Sequence, residues 1–109
     1  MKPTFSIITV CYNAQDEIGF TLESVKSQTF SDYEYIVVDG ASVDSTLEIV
    51  QRATADMPRT TVKSEKDKGI YYAMNKGLDL SFGEYVIFLN AGDTFSDALW
   101  FLLVVPPSR

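Results

Sequence analysis

Two carboxylates carry the first chemical signal, because each follows an apolar, strand-like run. Asp39 follows Tyr35-Ile-Val-Val38 and Asp93 follows Tyr85-Val-Ile-Phe-Leu89. A carboxylate delivered by a strand end can accept hydrogen bonds from a ribose or a base, or hold a hard divalent cation. Ala91-Gly92 in front of Asp93 would let a ligand approach closely. The same residues also make good turns, since Asp39-Gly40 and Asn90-Ala-Gly-Asp93 are both turn sequences. Lys68 could neutralise a diphosphate or belong to a solvated charged loop, Glu65-Lys-Asp-Lys68. Ser42, Asp44, Ser45 and Thr46 read as helix-capping residues ahead of any catalytic use.

Other chemistries are excluded by composition. The chain contains no histidine, so it has no imidazole base, no imidazole metal ligand and no Ser-His-Asp or Cys-His nucleophile. Cys11 is the one cysteine, which rules out a disulfide framework and reads as a small core residue compatible with a reducing compartment. Nine basic residues against 15 acidic ones give a net charge of −6, which leaves no broad cationic face for nucleic acid. No Gly-x-Gly-x-x-Gly follows a strand and no P-loop is present.

The elements that must position these residues are legible in the hydrophobic pattern. Phe5 to Tyr12 is a near-continuous β-branched run, as expected of a parallel strand covered on both faces. Ile18, Leu22 and Val25 share one helical face, with Asp16 and Glu17 early and Lys26 late. Tyr35–Val38 repeats the buried-strand pattern. Ser45-Thr-Leu-Glu48 fits a capping box, and Leu47, Ile49, Val50 and Ala53 form a helical side that Met57-Pro58 ends. Thr60–Ser64 is more polar and suits a sheet edge. Ile70, Ala73, Met74, Gly77 and Leu78 make a third apolar stripe, with Gly77 allowing close approach to a neighbour, and Tyr85–Leu89 is a fourth strand. The order β-α-β-α-β-α-β predicts an α/β fold: a mostly parallel, doubly wound sheet with helices on both faces. Its ligand should lie past the strands' carboxyl ends, where Asn13, Asp39, Asp67-Lys68 and Asp93 converge.

A chain of 109 residues, 46% of them hydrophobic, suits one small domain with a packed core. Met1-Lys2-Pro3 runs straight into the first strand without the pattern of an export signal. Ala98–Pro107, the most apolar stretch, is about half of what a spanning helix requires. A cytoplasmic location is expected, compatible with peripheral contact to the inner membrane face.

Four blocks occur in order: Thr9-Val-Cys-Tyr-Asn13, Val38-Asp-Gly-Ala-Ser-Val-Asp-Ser-Thr46, Lys68-Gly-Ile-Tyr-Tyr-Ala-Met-Asn-Lys-Gly77 and Gly83-Glu-Tyr-Val-Ile-Phe-Leu-Asn-Ala-Gly-Asp93. Together they resemble family 2 glycosyltransferases over roughly residues 4–97, most of all the bacterial members that build polysaccharides. The resemblance implies the N-terminal half of a nucleotide-diphospho-sugar transferase (A-type) fold. It implies a donor, a UDP-sugar foremost, with Thr9, Tyr12, Asn13 and Asp39 around the base and the Asp67-Lys68 loop next to the nucleotide. It assigns Asp93 to Mg²⁺ or Mn²⁺ as the last acid of the family's Asp-x-Asp motif. Asn90 and Gly92 stand in place of the usual earlier acids, and Tyr72 stands where relatives often carry an acid.

Sugar transfer to a saccharide or lipid-linked acceptor, with inversion, is the activity implied. The family's base is an acid further along the domain. The chain continues only 16 residues past Asp93, and Asp97, its one later acid, is too near the metal motif to match, so the base is expected beyond residue 109. Residues 1–97 are read as the nucleotide-sugar-binding portion and 98–109 as an apolar, shortened or altered tail. Two alternatives follow: a nucleotide-sugar-binding fragment without transfer activity, and a domain resembling response-regulator receivers. Against the second, receivers want paired acids after the first strand, where this chain has Tyr12-Asn13. An uncovered sheet edge and the segment Trp100–Val105 predict self-association into a dimer or larger assembly.

Overall fold

The computed structural model describes residues 3–28, 32–92 and 103–104. Its elements are β1 (Phe5–Cys11), α1 (Ile18–Lys26), β2 (Tyr33–Asp39), α2 (Thr46–Thr54), β3 (Thr60–Ser64), α3 (Ile70–Leu80), β4 (Tyr85–Phe88) and β5 (Leu103–Val104). The sheet order is β3-β2-β1-β4-β5. β1 pairs in parallel with both β2 and β4, and β2 in parallel with β3. β5 was not anticipated: it lies antiparallel on the free side of β4, opposite Tyr85 and Val86, so part of the edge expected to be bare is covered. The tail expected to drive self-association otherwise falls outside the described residues.

The strand order explains the two layers. The chain moves outward from β1 to β2 to β3 and then returns past β1 to β4, so crossovers of one hand put their helices on opposite faces. On one face Ile18, Leu22 and Val25 of α1 and Val50 of α2 pack on Ile7, Cys11, Tyr35 and Val37. On the other, Ala73, Leu78 and Leu80 of α3 meet Ile8, Ile36, Val38 and Val86. Strand residues alternate between these two clusters, and both faces are dry, which is why the strand sequences read as unbroken apolar runs. Gly77 does allow α3 to approach closely: a Cβ there would sit 2.5 Å from Ile8 Cγ2.

Local differences have local causes. β1 ends at Cys11, and Tyr12 stands 63% exposed beyond it. α1 begins at Ile18, after a tight turn in which the Ala14 carbonyl accepts the N–H groups of Glu17 and Ile18. Asp16 and Glu17 therefore precede its first turn instead of occupying it. The capping box at Ser45 does not form, since the Ser45 side chain makes no cap bond. Asp44 takes that role, its Oδ1 accepting the N–H of Thr46 at 2.9 Å as well as the Thr46 hydroxyl. Among the described residues no helix is long and apolar enough to cross a membrane.

Candidate nucleotide site at the strand ends

β1 is flanked by the two halves of the sheet, so its carboxyl end is the switch point where a groove must open. A cleft of about 740 Å³ lies there, lined among others by Cys11, Tyr12, Gly40, Asp67, Ile70 and Asn90. Its walls are the loops after β1, β2, β3 and β4.

The loops after β1 and β2 are stapled to one another by side chains. Asn13, in the left-handed region at φ 48°, donates its N–H to Ser42 Oγ at 2.8 Å, and its Oδ1 accepts the Val43 N–H at 2.9 Å. The Ala14 N–H donates to Thr46 Oγ1 at 2.7 Å, and Gln15 and Asp44 exchange further bonds with the opposite loop's backbone. Asparagine tolerates positive φ better than other residues with a Cβ, which suits it to this corner. The loop after β4 is held from α1: Thr21 donates to the Asn90 carbonyl at 3.3 Å and accepts the Gly92 N–H at 2.9 Å. Lys76 of α3 steadies the loop after β3, pairing with Glu65 at 3.1 Å and donating to the Lys66 carbonyl at 3.3 Å.

Asp39 lies beneath this surface. The strand register aligns Cys11, Asp39 and Ser64 across three neighbouring strands. Asp39 Oδ2 accepts the Ser64 hydroxyl at 2.7 Å and the Ser42 N–H at 3.0 Å, while Oδ1 accepts the Ser42 hydroxyl and the Cys11 thiol. With no exposed surface and both oxygens engaged, it organises the site from below. Burial, followed by the charge of Asp39, pushes the Cys11 thiol up to about 12, so it is an uncharged packing group and donor.

Asp67 has the opposite character. Its Oδ1 accepts the Gly69 N–H at 3.1 Å, in a turn that Gly69 makes with φ 130°. Its Oδ2 is enclosed and has no hydrogen-bond partner; Asn90 Oδ1 on the β4 side shares that condition.

Of the residues singled out from sequence, Tyr12 and Asp67 line the cleft, and Asn13 braces its loops. Thr9 is corrected: it is fully buried in β1, its Oγ1 accepting the Tyr35 hydroxyl at 2.8 Å, because its strand face points to the core. Lys68 is exposed, its Nζ 6.0 Å from the centre of the Tyr72 ring, within cation–π reach. Asp93 lies outside the described residues, as do Asp97 and Trp100. Among the described residues no group of three or more potential ligands could hold a metal ion. Sequence reasoning missed Asn90 as a cleft residue and Thr21 as its brace. Asn90's position straight after a buried strand was the available signal; Thr21 had none.

The Asp44 bonds give a pH dependence. The Thr46 hydroxyl and N–H, with the Gln15 N–H, hold the Asp44 carboxyl below its usual 3.8. A depressed folded-state value contributes stability that is fully present above the unfolded value and lost as pH falls through the folded one. Thermal melts between pH 6 and pH 3 should show an acid-side loss that Asp44→Asn reduces; an unchanged profile would refute this role.

The family model described as glycosyl transferase family 2 matches residues 6–107. The chain belongs to glycosyl transferase family 2. A relative of this glycosyltransferase-family chain, the PGL/p-HBAD biosynthesis glycosyltransferase of Mycobacterium bovis, is 37% identical over 97 residues, covering 88% of this chain and 38% of the relative. The crystal structure of S. aureus TarS 1-349 in complex with UDP-GlcNAc superposes with a TM-score of 0.77 at 32% identity, covering 86% of this chain and 27% of that TarS 1-349 chain. The mannosyltransferase PcManGT from Pyrobaculum calidifontis, in complex with GDP-Man and Mn²⁺, gives a TM-score of 0.76 at 29% identity, covering 84% and 28%. Strand order, helices on both faces and these neighbours agree on the A-type glycosyltransferase architecture. This family member therefore spans well under half of the relatives it matches.

Proposed function

We propose that this chain forms the donor-binding part of a glycosyltransferase. Its reaction passes a sugar from a nucleotide-diphospho-sugar, a UDP-sugar foremost, to a saccharide or lipid-linked acceptor with inversion at the anomeric carbon. The observation that carries the reading is the cleft at the switch point, with two enclosed acceptor oxygens that no protein donor serves. Enclosed polar atoms are normally paired, so these await donors from a ligand. The nucleotide sugars bound by TarS and PcManGT support the same reading.

Each residue has a task in this scheme. Tyr12 offers a flat, exposed ring for a base, and Asp67 and Asn90 accept from ligand donors at opposite ends of the cleft. Lys66 lines the cleft and Lys68 stands near it, so both supply positive charge toward a diphosphate. Asp93 and the free oxygen of Asn90 are hard donors suited to Mg²⁺ or Mn²⁺. Such a cation, when bound, neutralises the charge that grows on the departing diphosphate. The proton of the acceptor hydroxyl goes to a carboxylate base, which we assign to the part of the relatives that this chain does not span. Residues 1–97 then act as the nucleotide-sugar-binding portion and 98–109 as a tail, working at the cytoplasmic side of the membrane.

The test is thermal unfolding with UDP and Mn²⁺. A ligand at 100 times its dissociation constant adds about 2.7 kcal/mol when it binds only the folded state. We expect a manganese-dependent rise in Tm that Asp93→Ala abolishes. A cooperative transition that no nucleoside diphosphate shifts would overturn the proposal.

A further inference from the structure

We propose that Thr21, a buried residue of α1, is a positioning residue that couples metal binding to nucleotide binding. It holds the loop after β4, which leads into Asp93, in register with the loop after β1. This deepens the proposed function and rests on the metal role given there to Asp93.

The backbone after β4 leaves the sheet before it reaches that acid. The Leu89 N–H donates to the Ile8 carbonyl at 2.9 Å and the Ala91 N–H to the Val10 carbonyl at 3.3 Å. Past these bonds a helix side chain takes over. The Thr21 hydroxyl donates to the Asn90 carbonyl at 3.3 Å and accepts the Gly92 N–H at 2.9 Å. A hydroxyl both donates and accepts, so this one oxygen ties the turn at both ends. Gly92 has φ 96°, where a residue with a Cβ is strained, and Asp93 comes next in the chain. The direction in which the backbone approaches Asp93 is thus fixed one residue earlier.

The start of α1 is tied to the other side of the cleft. The Ala14 carbonyl, in the loop after β1, accepts the Glu17 and Ile18 N–H groups, and the Ala14 N–H donates to Thr46 Oγ1. Tyr12 and Asn13 belong to that same loop. From Ile18 to Thr21 is three residues, a rise of about 4.5 Å along the helix. Ile18, Leu22 and Val25 anchor this stretch in the core, and Thr21 itself has no exposed surface. One rigid turn therefore sets the separation between the nucleotide wall and the loop that leads into Asp93. Holding a cation between a diphosphate and Asp93 depends on that separation, whereas nucleotide bound without metal does not draw on Asp93. Groups that orient metal ligands without touching the metal typically carry 10–100-fold in metal affinity.

The experiment titrates UDP into this chain calorimetrically, once with Mn²⁺ and once with EDTA, in the wild type, Thr21→Val, Thr21→Ser and Asp93→Ala. The quantity read is the gain in UDP affinity that Mn²⁺ confers. We expect Thr21→Val, which keeps the shape and loses the hydroxyl, to cut that gain about 10–100-fold toward the Asp93→Ala value, with UDP affinity in EDTA unchanged. Thr21→Ser should keep the wild-type gain. Electron paramagnetic resonance of Mn²⁺ with UDP present should show more free ion for Thr21→Val than for the wild type.

An undiminished gain in Thr21→Val, an equal loss in Thr21→Ser, or UDP affinity in EDTA falling as far as it does with Mn²⁺ would each overturn this inference and leave the donor site standing. If Thr21→Val does not fold, Gly92→Ala decides, since it strains the same turn from its exposed side; a wild-type gain there would overturn the inference. A wild-type chain whose UDP affinity Mn²⁺ does not raise would overturn both this inference and the metal role of Asp93. No binding of UDP under either condition would overturn the proposed function as well.

Discussion

Asp39→Ala should cost about 2–4 kcal/mol of folding stability, a large share of the 5–15 kcal/mol typical of a whole domain. The substitution removes the acceptor for the Ser42 N–H and for the hydroxyls of Ser42 and Ser64, and it opens a void among β1, β2 and β3. The Ser42 loop would also lose its anchor, and with it the Asn13 contact that positions the neighbouring loop. Asp39→Asn keeps the volume and one accepting oxygen, so its cost should be smaller. Urea unfolding measures both. The result that would sink this account is an Asp39→Ala chain as stable as the wild type that has lost only nucleotide binding, since that is how a ligand-contacting carboxylate would behave.

Gly83→Ala is the second large effect, expected to cost about 3 kcal/mol and to lower Tm by roughly 10–20 °C. A Cβ on Gly83 would lie 2.6 Å from Ser6 Oγ, 2.7 Å from Ser6 N and 2.8 Å from the Phe5 carbonyl carbon. Two of these atoms are backbone of the central strand and cannot rotate away. Ser6 Oγ also accepts the Gly83 N–H at 2.8 Å and donates to the buried Glu34, which in turn accepts the Phe82 N–H. Displacement of Ser6 would therefore disturb the whole corner that leads into β4. Gly77→Ala is the comparison: its obstruction is a side chain, the buried Ile8 whose Cγ2 would lie 2.5 Å away, and not backbone, and alanine regains about 1 kcal/mol of helix propensity. If Gly83→Ala melted no lower than Gly77→Ala, the backbone-contact argument would fail.

The fold was legible because burial in a doubly wound sheet leaves a local imprint. Ile7, Ile8, Val37 and Val38 are each fully buried whichever face they take, so their runs identify strands without any knowledge of partners. The α1 stripe at Ile18, Leu22 and Val25 and the close approach at Gly77 were read correctly for the same reason. Helix starts were less legible. Ser45 and Asp44 are both good cap residues, and the choice of Asp44 depended on Gln15 and Thr46 arriving from two different directions.

The division of labour among the acids was not legible at all. Asp39 and Asp67 both follow strands and both looked like ligand-facing carboxylates. Residue type and chain position, which set the strands, helices and strand-end acids, were determined by the sequence itself, because they follow from hydrophobic periodicity over a few residues. Which acid is spent inside the protein and which faces the cleft was decided only by tertiary structure. Parallel register brings Cys11 and Ser64 level with Asp39 across three strands, from 28 and 25 residues away, and saturates it. Asp67 sits past the end of that register, where no strand neighbour reaches its second oxygen. A hydrogen-bond acceptor's availability is a property of what surrounds it, and in this sheet the surroundings are assembled by pairing between distant segments.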